Sequence, residues 1–145
     1  MMSYTRQTAI VTGGSGGIGA AIVARLKTDG FRTIVLDLSP PEFEADKYYQ
    51  IDLSDAEATH ELCSEIADNE NVNCLVNNVG IVKPALLEDV SLADFDTLMH
   101  VNLRPSIICT QAFLPKMKQL GGGRIVMNTS RVTKGKSERT LYSAT

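Results

Sequence analysis

Short apolar runs rich in β-branched residues alternate along this chain with stretches in which apolar residues recur every three or four positions. That alternation predicts a parallel β-sheet with helices packed on its faces. The first run, Thr8-Ala9-Ile10-Val11, ends in a glycine cluster. A helix follows, with Ile18, Ile22 and Leu26 on one face and Gly30 as its stop. Thr33-Ile34-Val35-Leu36 reads as a strand buried on both faces and ending at Asp37. Ser39-Pro40-Pro41 signals a loop, and Tyr48-Tyr49-Gln50-Ile51 is a third strand running into Asp52.

Ser54, with Glu57 three residues on, fits a capping box ahead of the stripe Ala58, Leu62 and Ile66. Cys74-Leu75-Val76 is the fourth strand, closed by Asn77-Asn78-Val79-Gly80. Beyond a loop containing Pro84, Ser91 caps a helix in which Leu92, Phe95 and Met99 share a face that Asn102 continues. Pro105 has no amide to offer the carbonyl of Val101, so a kink is expected there. The helix resumes through Ile107, Cys109 and Phe113, and Gly121-Gly122-Gly123 turns the chain into a fifth strand, Arg124 to Asn128. A polar loop is expected after Ser130. The fold class is therefore α/β, a Rossmann-type doubly wound parallel sheet of five strands in three layers, with residues 1–145 forming one domain.

Composition narrows the partners. With 145 residues, 43% hydrophobic and 21% charged, the chain is expected to build one globular core. A net charge of -3 argues against a nucleic-acid surface, which needs clustered cations. No apolar run approaches the roughly 20 residues of a membrane span, and Met1 to Gln7 lack the apolar stretch of a signal peptide, so a cytoplasmic protein is expected. Cys63, Cys74 and Cys109 are widely spaced in apolar surroundings and read as buried thiols. His60 and His100 have no second ligand at metal spacing, so no metal is expected.

Thr12-Gly13-Gly14-Ser15-Gly16-Gly17-Ile18-Gly19 lies between a strand and a helix, where unpaired amides and the positive helix end attract a pyrophosphate. It fits both G-x-G-x-x-G and T-G-x-x-x-G-x-G. The plainer alternative is a glycine turn that binds nothing. Asp37, at the end of strand two, can accept hydrogen bonds from ribose hydroxyls, and a 2′-phosphate would meet its charge with no nearby Arg or Lys to offset it. That favours NAD over NADP, unless Asp37 is merely a solvated loop acid. Asp52, one strand over, could reach an adenine edge or could simply be exposed.

The glycine run, Asn77-Asn78-Val79-Gly80, Asn102 in His-Val-Asn-Leu, Ser130 after strand five and Tyr142 in Tyr-Ser-Ala-Thr together resemble the short-chain dehydrogenase/reductase family, in its 3-oxoacyl-reductase-like branch. The resemblance spans the chain, with Val79 in place of the usual alanine and one residue fewer between Ser130 and Tyr142. It implies a cofactor site of Thr12, Gly13, Ser15, Gly17, Ile18, Gly19, Asp37, Asp52, Leu53, Asn78, Val79 and Gly80, and a catalytic set of Asn102, Ser130 and Tyr142. Tyr142 would act as general acid toward a carbonyl oxygen, and Ser130 would hold that oxygen, with Thr129 as a substitute hydroxyl. Asn102 would belong to a proton relay, or would simply satisfy the broken helix. Small ketones and secondary alcohols are the implied substrates, and a homo-oligomer the implied assembly.

In this family a lysine follows the tyrosine by four residues, one helical turn along. A free tyrosine titrates near pH ~10, so it serves as a base only beside such a cation. The corresponding position falls past Thr145, so the chain is expected to be an incomplete and inactive piece of a longer protein, with apolar surface left uncovered. Two rival readings remain: a sugar-nucleotide epimerase, whose glycine spacing differs, and a cofactor-binding module without catalysis. Arg131, Lys134, Lys136 and Arg139 are opposed in their segment by Glu138 alone, which fits either a site for an anionic substrate or a solvated basic loop.

Overall fold

A computed structural model describes residues 6–145; Met1–Thr5, on which part of the leader-segment expectation rests, lie outside the described residues. Five strands form one parallel sheet: β1 (Thr8–Thr12), β2 (Arg32–Asp37), β3 (Lys47–Gln50), β4 (Val72–Asn77) and β5 (Arg124–Met127), in the order β3-β2-β1-β4-β5. The helices are α1 (Gly17–Thr28), α2 (Ala56–Asn69), α3 (Leu92–Leu98), α4 (Arg104–Gln119) and the short α5 (Thr140–Ala144). The doubly wound α/β expectation holds, and strand ends differ from the sequence reading by one or two residues.

Side-chain alternation along the strands divides the core in two. Ile10, Ile34, Leu36 and Leu75 face Cys63 and Ile66 of α2 and Cys109 and Phe113 of α4. Ala9, Val11, Val35, Cys74 and Val76 face Val23 of α1 on the other side. Two helical layers with the sheet between them give the three expected layers. The central strands are buried on both faces, which is why they read as unbroken apolar runs. β5 is different: Val126 and Met127 stay 47% and 48% exposed, and Ile107 and Leu114 of α4 are exposed too.

All three cysteines are free and buried. The Cys63 and Cys109 sulfurs lie 3.6 Å apart, and their mutual hydrogen bond, with burial, pushes the Cys109 thiol up. Buried in apolar surroundings with its ionisation disfavoured, this thiol acts as a packing group. Among the described residues no helix is long and apolar enough to cross a membrane, and no cluster of three His, Cys, Asp or Glu could hold a metal.

Several local expectations need correction. Asp55, not Ser54, caps α2: its carboxylate accepts from the amides of Glu57 and Ala58, both at 3.1 Å. A carboxylate at this end gains from the helix dipole as well as from the hydrogen bonds. Ser54 instead donates its amide and hydroxyl to Asp52. Ile18 does not share the packed face of α1; it is 67% exposed in the first turn, and Val23 enters the core. On α3, Leu92 and Phe95 face solvent while Leu98 is buried. A π-helical turn over Met99–Leu103 follows α3, and its extra residue per turn resets the phase, so an apolar stripe cannot be carried across at 3.6-residue spacing. The expected kink near Asn102 takes this form. Past Ser130 the polar segment is partly helical, with a 3₁₀ turn over Arg131–Lys134 leading towards α5.

Candidate active site

Between β1 and β4 the order of the sheet reverses, and a cleft of about 1060 Å³ opens beyond the C-terminal strand ends. The glycine turn forms its floor. α1 begins uncapped: no side chain accepts from its first amides and no acid lies in its first turn, whereas α2 and α3 are capped by Asp55 and Ser91. Free amides on an uncompensated helix dipole favour an anion. A Cβ on Gly19 would lie 2.0 Å from the Gly13 carbonyl oxygen, and Gly13 itself has φ +62, so both positions demand glycine. Above Gly16 a Cβ would meet nothing within 4 Å. That open room over bare amides fits a dinucleotide's pyrophosphate.

What holds the turn is a set of crossed hydrogen bonds. Asn78 Nδ2 donates to the carbonyls of Thr12 and Gly13 at 3.1 and 3.0 Å. The Thr12 hydroxyl oxygen accepts from the amides of Asn78 and Val79. With its amide nitrogen committed, Asn78 presents Oδ1 to Asn128, whose Nδ2 donates at 2.8 Å. Three strand ends are thereby tied together. Thr12 is fully buried, so it supports the site from behind.

Asp37 forms one rim. Its Oδ2 accepts from the Ser15 amide at 2.9 Å and Oδ1 accepts, at 3.4 Å, from Ser39. An ionised carboxylate has lone pairs beyond these two, so Asp37 can still accept from a ligand hydroxyl in the cleft.

Opposite stand Ser130 and Tyr142, on the 3₁₀ turn's N-cap and on α5. Ser130 Oγ accepts from the Val132 amide at 3.3 Å, which orients the oxygen and leaves its hydrogen available to donate. Asn102, in the π turn, behaves as a substitute backbone: Oδ1 accepts from the Ile81 amide at 2.8 Å, and Nδ2 donates to the Ile81 carbonyl and to Thr145 Oγ1, both at 3.0 Å. It joins the segment after β4 to the end of α5.

Of the residues expected from sequence, Gly13, Ser15, Ile18, Gly19, Asp37, Asn78, Val79, Gly80, Asn102, Ser130 and Tyr142 line the one cleft, as does Thr129. Thr12, Gly17, Asp52 and Leu53 do not. Asp52 bonds to Ser54, hydrogen bonds that hold its carboxyl below the usual carboxylate range, and Leu53 is buried in the core. Gly16, part of the glycine pattern, lines the cleft as well, whereas sequence reading missed Ile81 and Asn128. The Asn77–Met127 register puts position 128 opposite 78, a clue available only once the two strands are known to be neighbours.

A family model described as short chain dehydrogenase matches residues 7–145. This chain belongs to the short-chain dehydrogenase family. Among its relatives, D-xylose 1-dehydrogenase of Caulobacter vibrioides is 36% identical over 128 residues, covering 81% of this chain and 50% of that protein. The 3-oxoacyl-[acyl-carrier-protein] reductase of Rickettsia bellii is 32% identical, covering 91% and 57%. A solved 3-oxoacyl (acyl-carrier-protein) reductase from Agrobacterium tumefaciens with NADP bound superposes with a TM-score of 0.87 at 31% identity, covering 95% of this chain and 58% of that one. The short-chain dehydrogenase chain described here thus spans about half the length of the curated relatives it matches.

Proposed function

We propose that this short-chain dehydrogenase chain serves an oxidoreductase that interconverts a carbonyl compound and a secondary alcohol, with NAD(H) preferred over NADP(H). The observation that carries this is the uncapped glycine turn facing Ser130 and Tyr142 across one cleft, with Asp37 on its rim. A nicotinamide dinucleotide bound there supplies or removes hydride. The α1 amides hold the pyrophosphate, and Asp37 accepts from the ribose hydroxyls while repelling a 2′-phosphate. Ser130 donates its free hydroxyl hydrogen to the carbonyl oxygen, and Tyr142 gives that oxygen a proton as it gains charge. Asn102 orders the wall between them through Ile81 and Thr145.

Self-association and a cytoplasmic location belong to the same proposal; exposed Ile107 and Leu114 on α4 offer an apolar face for a second copy. Titrating the protein with NADH and NADPH, followed by nicotinamide fluorescence, tests the cofactor assignment. NADH should bind at least about tenfold more tightly than NADPH. Failure of the folded protein to bind either dinucleotide would overturn the reading.

A further inference from the structure

An asparagine side chain has a donor end and an acceptor end, and its neighbours decide which way it faces. The Nδ2 end of Asn78 is aimed at the carbonyls of Thr12 and Gly13, at 3.1 and 3.0 Å. Its Oδ1 is thereby turned to β5, where Asn128 Nδ2 donates to it at 2.8 Å. Turned over, the Asn78 amide would set its oxygen against two carbonyl oxygens. A donor at position 128 therefore favours the orientation that the glycine turn needs, and an acceptor there would oppose it.

The Asn78 amide is also the packing beneath that turn. A Cβ on Gly19, in the first turn of α1, would lie 2.8 Å from Asn78 Nδ2, and one on Gly13 would lie 3.3 Å from it. Rotating this amide would thus disturb both Gly13 and the start of α1, whose free amides face the cleft. Position 128 is itself well fixed. Its backbone amide donates to the Asn77 carbonyl at 2.9 Å, one step past the Asn77–Met127 pair of the β4–β5 ladder. Asn128 lines the cleft, and so does Ser130, two residues on.

From this we infer that Asn128 is a positioning residue for the dinucleotide site: by donating to Asn78 Oδ1 it fixes the polarity of the Asn78 amide, and through it the carbonyls and amides of the glycine turn. The strand that leads to Ser130 thereby sets the affinity of the turn on the other side of the cleft. The inference rests on the oxidoreductase reading in one respect, that the glycine turn is where a dinucleotide binds.

Asn128→Asp tests it, because size and shape are kept while the donor becomes a charged acceptor. At about pH 7 the carboxylate would meet Asn78 Oδ1, and calorimetric titration with NAD+ should show binding about tenfold weaker than in the parent. Facing another acceptor, the new carboxyl should take up its proton above the ordinary value of about 4, and once protonated it donates again. Most of the weakening should therefore disappear between about pH 7 and about pH 5. Asp37 and Glu42 line the same cleft, so variant and parent are compared at each pH. Asn128→Leu, which offers no donor at any pH, should bind about fivefold more weakly with no recovery.

A second readout needs no cofactor. In amide NMR of the ligand-free protein, the Asn78 side-chain and Gly13 backbone resonances should move in Asn128→Asp at neutral pH and return towards those of the parent on acidification. A parent that binds NAD+ alongside a folded Asn128→Asp of equal affinity at pH 7, or a weakening that does not change with pH, would overturn the positioning role. Should Asn128→Asp fail to fold at neutral pH, Asn128→Leu decides, and affinity equal to the parent's overturns the role. If the folded parent binds no dinucleotide, the oxidoreductase reading falls, and the Asn78 and Gly13 resonances still report whether Asn128 orients the turn.

Discussion

The two walls of the cleft are built by different means. On the β1–β2 side the glycine turn rests on strands buried on both faces, and Asn78 and Thr12 lace it to β4 with four hydrogen bonds. Across the cleft, Ser130 and Tyr142 follow the half-exposed edge strand β5, and their segment is held by a few polar ties: Asn102 to Thr145, Ala85 to Glu138 and Ser143 to Arg139. Burial makes the first wall rigid by default. The second depends on individual hydrogen bonds, so its geometry should respond to single substitutions and to whatever packs on β5. Under the proposed function, binding falls to the stiff wall and proton handling to the adjustable one.

Gly19→Ala attacks the stiff wall hardest. The added methyl would sit 2.0 Å from the Gly13 oxygen, a backbone atom that has no rotamer by which to escape. Destabilisation of about 3 kcal/mol or more is expected, with loss of NADH binding. Thermal melting and dinucleotide titration check both. A variant that melts and binds as the parent does would show that the wall yields, and the comparison would fail.

Asn78→Ala comes next. It strands the carbonyls of Thr12 and Gly13 and removes the acceptor of Asn128, so a loss of about 2 kcal/mol and roughly tenfold weaker NADH binding are expected. Asp37→Asn should act differently, because the isosteric amide oxygen can still accept from Ser15 while the charge is gone. Stability should barely change, and the preference for NADH over NADPH should shrink by about tenfold. Should the ratio of the two dissociation constants stay the same, Asp37 does not select the cofactor.

On the adjustable wall, Asn102→Ala should cost about 1 kcal/mol in stability. Its signature is local: the Ile81 amide loses its acceptor and should exchange its hydrogen faster, while amides of the glycine turn keep their protection. Equal acceleration on both walls would mean that the cleft opens as one unit.

These differences follow how far each wall could be read in the sequence. Strands β1, β2 and β4 announce themselves as apolar runs, and the demand for glycine at positions 13 and 19 is local, so the stiff wall is legible from the chain alone. Asn128 and Ile81 were invisible because their partners lie 50 and 21 residues away, and only strand register and the π turn bring them together. The phase of α3 was misread for the same reason, since an apolar repeat carries no sign of an inserted π turn. Asp52 was drawn to the cofactor by its strand-end position, while its side chain is taken up by Ser54 within its own loop.

The smallest expected effect compares one partly covered, ion-paired acid from each side. Burial would raise the Asp46 carboxyl, but hydrogen bonds from the Thr33 amide and hydroxyl and from Arg6 outweigh it and leave it below the usual range. Asp94 is lowered as well, chiefly by its hydrogen bond from Lys83 and then by Ser91. A carboxyl lowered on folding stabilises the native state above its unfolded pKa of about 4, and that contribution disappears as pH falls through the folded value. Asp46→Asn and Asp94→Asn should therefore each lower the melting temperature slightly at neutral pH, and the difference from the parent should vanish well below pH 4. The two should part in what else moves. Asp46 accepts from a β2 amide on the stiff side and should leave the Ile81 region untouched, whereas Asp94 anchors Lys83, two residues from Ile81, and its loss should speed exchange there.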